Sequence, residues 1–107
     1  ERTVPLVKKL RRAHDKTPIL LVEDRSFTNT PFFPKIKFHH QKSRAALKKA
    51  YAELTDAGIT NLYYLDGDYL LGEDGEGATD GSHPSDLGMI RYADAYEPVL
   101  RSILKQF

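Results

Sequence analysis

Ile19-Leu20-Leu21-Val22, followed at once by Glu23-Asp24, is an apolar run with no polar alternation. A strand that is apolar on both faces belongs inside a parallel sheet, where helices keep water from either side. Upstream, residues 4–14 set Leu6, Val7, Leu10 and Ala13 at helical spacing, with Lys8, Lys9, Arg11 and Arg12 mostly on a solvated opposite face. Thr3 is the expected N-cap of that helix, and Pro5 falls in its first turn, where a missing N–H costs nothing.

Downstream, residues 25–40 show no sustained period. They hold Pro31 and Pro34 with Phe27, Phe32, Phe33 and Phe38, which reads as a long connection pinned to the fold by most of its aromatics. Residues 41–57 carry the stripe Leu47, Ala50, Tyr51, Leu54 and Ala57 and stop at Gly58, which predicts a helix. Residues 61–66, Asn-Leu-Tyr-Tyr-Leu-Asp, predict a second strand stopped by Gly67. After an acidic, glycine-rich loop over residues 67–84, Ser85 is placed to cap a last helix starting at Asp86. Its expected apolar positions are Leu87, Ile90, Ala93, Leu100, Ile103 and Leu104, and Pro98 is expected to kink or restart it near Glu97.

The order helix, strand, loop, helix, strand, loop, helix predicts an α/β fold with a parallel sheet. Two strands cannot bury both faces of a sheet and leave two bare edges. The expectation is therefore that further strands precede Glu1, or that another chain pairs with the sheet edge. The absence of an initial Met points the same way.

With 107 residues, 40% of them hydrophobic, the chain amounts to one small domain or part of one. Sixteen lysines and arginines nearly cancel fifteen aspartates and glutamates, a balance that argues against nucleic acid or an anionic membrane as partner. No apolar run nears the roughly 20 residues of a membrane span, and the N-terminal stretch is too charged for a signal-peptide core, so the chain reads as soluble. Cysteine is absent, which excludes disulfides, thiol nucleophiles and thiolate metal sites and leaves the compartment open.

Ligands of open parallel sheets bind at the carboxyl ends of the strands, where both long loops depart. The second loop contains Asp80-Gly81-Ser82-His83-Pro84-Ser85-Asp86-Leu87-Gly88. Three-residue spacing on a turning backbone lets the Asp80 carboxylate reach one ring nitrogen of His83 and leaves the other for a substrate, the arrangement that acyl transfer to a serine requires. His39 and His40 invite a metal reading but have no carboxylate or cysteine at ligand spacing. The acidic run Asp66, Asp68, Glu73, Asp74 and Glu76 lacks the pattern of a calcium loop, having Leu70 and Leu71 where a ligand and a glycine belong. Ser26, Ser43, Ser82 and Ser102 have no nucleophile setting, and Asn29 reads as a loop residue satisfying its own turn.

The segment DGSHPSDLG, residues 80–88, resembles the final conserved block of the SGNH/GDSL hydrolases. The strands ILLVED and LYYLDG and the loop between Gly67 and Gly88 extend the likeness to the C-terminal half of such a domain. The resemblance implies a three-layer α/β/α, flavodoxin-like domain of which residues 1–107 are the C-terminal portion. It also implies that His83 is the general base and Asp80 its orienting acid in cleaving a carboxylic ester, such as an acyl group on a carbohydrate, with no cofactor. The family's Gly-Asp-Ser block is missing, which implies a nucleophile outside this chain. Two other readings compete: a non-catalytic binding or interaction module that retains the Asp-x-x-His loop, and a flavodoxin-like nucleotide binder, for which no glycine-rich phosphate loop is present.

Overall fold

In a computed structural model, residues 2–26 and 32–107 are described; Phe27, Asn29 and Pro31 lie outside them. The elements run α1 (Thr3–Ala13), β1 (Ile19–Val22), α2 (Pro34–Asp56), β2 (Leu62–Leu65) and α3 (Asp86–Leu104). β1 and β2 pair in parallel, with Ile19 opposite Leu62 and Val22 opposite Leu65. The ladder is extended by Ile19 N–H to Asn61 O and by Glu23 N–H to Leu65 O, each 3.0 Å. Val7 of α1, Leu54 of α2 and Leu62 of β2 form the buried core, and Val4, Ile19, Leu21, Tyr51 and Ile59 pack around it. Both helices thus close one apolar layer with the strands.

Both strands and the Ser85 cap follow the sequence reading; the Ser85 hydroxyl accepts the Gly88 N–H at 3.1 Å. Other expectations are corrected. Thr3 is the first residue of α1 rather than its cap, a position held by Arg2 without a side-chain bond. Arg11, read as part of a solvated face, donates to the carbonyls of Thr17 at 2.6 Å and Thr60 at 2.9 Å, stitching together the chain that enters both strands.

α2 begins at Pro34, not Gln41. Its early inward positions, Ile36, His40 and Arg44, recur every four residues, but two of the three are polar, so an apolar period could not reveal them. The same rotation turns Phe38 outward. Phe32, Phe33 and Phe38 are 79%, 50% and 68% exposed, so these aromatics do not pin the loop.

α3 continues through Pro98 without restarting. Pro98 and Asp94, whose carbonyl loses its helical donor, are both exposed, so water can take the freed acceptor. Of the expected apolar positions of α3 only Ile103 is buried; Leu87, Ile90, Leu100 and Leu104 face outward. The inward side is instead built from Gly88, Arg91, Tyr92, Ala95, Tyr96 and Val99 around Ile103. Small residues and amphipathic rings do the packing that the leucine spacing had been expected to do.

Candidate active site

The residues that leave the sheet at its carboxyl end are charged on both strands: Glu23, Asp24 and Arg25 after β1, and Asp66 and Asp68 after β2. Glu23 is buried between them. The Tyr64 hydroxyl donates to its Oε1 at 2.5 Å and the Gly67 N–H to its Oε2 at 2.9 Å. Lys48 Nζ and Arg44 Nε approach within 3.6 Å. Burial pushes the Glu23 carboxyl up, but the two hydrogen bonds and the two cations outweigh it, and the group is held below its ordinary value. Tyr64 is pushed well up, by burial first and by its bond to Glu23 second.

The polar turns of α2 complete this edge. Arg44 donates to Asp24 O and, at 2.9 Å, to the Ser26 hydroxyl, and it pairs with Asp68. His40 is buried, with Nδ1 3.1 Å from Asp24 Oδ2, and burial holds its ring below the ordinary imidazole value. The carboxylate near His40 that its sequence neighbourhood lacks is Asp24, just past the end of β1. Among the described residues no group of three or more His, Asp or Glu could hold a metal ion. Three acids that follow β2 go to cations: Asp66 to Lys48, Asp68 to Arg44, and Asp74 to Arg91 through both oxygens.

That loop is anchored from within by Leu70 and Leu71, both buried. It narrows where Thr79 N–H donates to His83 O at 3.1 Å, and the turn so enclosed carries Asp80, Gly81 and Ser82. Gly81 has φ +84°, a left-handed conformation that a side chain would strain. Asp80 Oδ1 accepts the N–H groups of Ser82 and His83 at 2.9 and 2.7 Å, and Oδ2 lies 2.5 Å from His83 Nδ1. The His83 N–H, its ring and the Ser82 N–H hold the Asp80 carboxyl far below the usual carboxylate range. An ionised Asp80 can only accept, so Nδ1 carries a proton, and in the neutral ring Nε2 is then the nitrogen with the lone pair. The His83 side chain is 77% exposed.

The two residues singled out in the sequence, Asp80 and His83, are therefore brought together. Among the described residues no serine hydroxyl is brought to the ring. Ser82 Oγ accepts from Arg25 at 2.6 Å, Ser26 from Arg44, and Ser85 caps α3; among the described residues no serine hydroxyl is bonded to His83. Sequence reading passed over Arg25, whose Nε also donates to Ser82 O at 2.7 Å and whose Nη1 meets Asp24 Oδ1 at 2.9 Å. The available signal was a charged triplet, Glu23-Asp24-Arg25, set directly after an apolar strand.

The sequence profile of GDSL-like lipase/acylhydrolase proteins matches residues 1–101. The chain belongs to the GDSL-like lipase/acylhydrolase family. A solved structure named as a GDSL-like lipase, from Bacteroides ovatus ATCC 8483, is 34% identical and matches 96% of the chain with a TM-score of 0.92. The chain spans 31% of the length of that relative. No curated protein matches. The α/β architecture read from the strand pattern is thus that of a GDSL-like hydrolase, and the loop bearing Asp80 and His83 lies within the matched span.

Proposed function

We propose that this chain is the C-terminal portion of a single hydrolase domain and supplies the acid and base of a serine ester hydrolase whose nucleophile lies outside residues 1–107. The observation that carries the reading is the Asp80–His83 pair: Nδ1 is engaged by an ionised carboxylate and the rest of the ring is open to an incoming group. In the reaction, His83 Nε2 takes the proton of the serine hydroxyl as its oxygen attacks the ester carbonyl. The resulting imidazolium, stabilised by Asp80, returns that proton to the departing alcohol. Water then repeats the sequence on the acyl-serine and releases the acid. The residues require no cofactor. The substrate class is a carboxylic ester, and acyl groups on carbohydrates are among the esters the family resemblance permits.

The part of the protein that carries the serine would also cover the free edges of β1 and β2 and the outer face of α3. That face displays Leu87, Ile90, Leu100 and Leu104, and borders a cavity of about 560 Å³ lined by Ala93, Tyr96, Leu100 and Leu104 among others. A helix apolar on its outer side as well as its inner one is suited to burial on both. A module that merely keeps the loop would need no such ionised acid against an open imidazole. In the full-length protein, a fluorophosphonate probe is expected to label one serine, and His83→Ala is expected to abolish labelling; unchanged labelling would reject His83 as the base.

A further inference from the structure

Asp80 and His83 are both exposed, at 54% and 77% of their side chains, and they sit in an irregular loop beside a glycine. A hydrogen-bonded pair so open to water contributes little rigidity of its own. General base catalysis nevertheless needs the ring held in one place, since a misplacement of about 1 Å can cost about 100-fold in rate. The loop must be fixed by something attached to regular structure.

We propose that Arg25 is a positioning residue for the Asp80–His83 pair, its guanidinium clamping Ser82, which stands between them, against the end of β1. This rests on the hydrolase reading above. Arg25 follows the last ladder bond, Glu23 N–H to Leu65 O, by two residues, so its backbone leaves directly from the sheet. Nε and Nη2, the two donors on one edge of the fork, take the carbonyl and the hydroxyl of the same residue at 2.7 and 2.6 Å. The Ser82 N–H goes to Asp80 Oδ1. All three polar groups of Ser82 are thereby used, two by the sheet end and one by the catalytic acid.

The clamp is itself braced. Nη1 of Arg25 meets Asp24 Oδ1 at 2.9 Å, and the other oxygen of Asp24 lies 3.1 Å from His40 Nδ1 on α2. The Arg25 side chain is only 24% exposed, which limits competition from water. A planar bidentate donor fixes orientation as well as distance; a lysine ammonium would supply charge without the fork.

The test uses the full-length protein with p-nitrophenyl acetate as substrate, and compares Arg25→Met, Arg25→Lys, Ser82→Ala and His83→Ala, each normalised to its folded fraction. Arg25→Met is expected to lower kcat by about 100-fold with KM nearly unchanged, and to broaden away the low-field proton NMR signal of His83 Nδ1. Arg25→Lys should recover only part of the rate. Ser82→Ala, which removes one of the two acceptors, should lower kcat by about 10-fold. Parental kcat together with an intact Nδ1 signal in Arg25→Met would overturn the assignment, and if that variant does not fold, the same result in Ser82→Ala would overturn it. His83→Ala separates the two ideas: turnover persisting there sinks His83 as the base, and with it the reading on which the clamp rests, whereas its loss alongside fully active Arg25 variants sinks the clamp alone.

Discussion

Asp74 and Asp80 belong to the same loop, both are largely exposed, and both are held far below the usual carboxylate range, yet they are built for different ends. Asp74 is held first by Arg91, a permanent cation that grips both of its oxygens and also donates to Leu71 O at 2.8 Å. That is a clasp between loop and α3. Asp80 is held first by the His83 N–H and spends its second oxygen on the His83 ring, a group able to take up and return a proton. The difference teaches that a lowered carboxyl does not by itself mark a catalytic acid. What distinguishes the site is a partner able to gain and lose a proton, with its other nitrogen open.

Three variants would break or sharpen this contrast. Asp80→Asn in the full-length protein keeps an acceptor oxygen but not the charge, and is expected to lower kcat per folded molecule by on the order of 10⁴-fold; a rate within tenfold of the parent would erase the distinction.

Gly88→Ala acts on the ground both aspartates share. Gly88 sits where α3 meets the loop, and an added Cβ would lie 2.0 Å from Gly77 O, so helix and loop must part. It should destabilise the protein by about 1–3 kcal/mol in denaturant unfolding and lower activity as well. Parental stability would show that the contact is slack.

Asp74→Asn should give the smallest effect: a melting temperature lower by a few degrees at neutral pH, with kcat per folded molecule unchanged. A carboxyl that folding lowers adds stability above its unfolded pKa, here near 3.8, and loses that contribution as pH falls further. The gap between parent and variant should therefore close in acid, and a gap independent of pH would mean that the charge of Asp74 is irrelevant.

Much of this was legible in the linear chain. The apolar run at Ile19–Val22 and the strand formers at Leu62–Leu65 disclosed the two strands, and their alternation with helices disclosed that they pair in parallel. Asp80 and His83 could be paired on paper because three residues and a glycine turn are enough to bring them together. The start of α2 was hidden, since His40 and Arg44 face inward toward charged strand ends rather than toward oil. The orientation of α3 was hidden too, because leucines and isoleucines on its outer side outnumbered those on the inner.

The sequence by itself determined what depends on neighbours along the chain: strand identity, the Ser85 cap, the turn at Gly81 and the short reach from acid to base. Only the tertiary structure decided what depends on residues far apart, above all that Arg25 meets Ser82 and that Asp24 meets His40. The physical reason is that local bonding follows from backbone geometry over a few residues, while a guanidinium or a carboxylate finds its partner only after the sheet has brought the ends of its strands together.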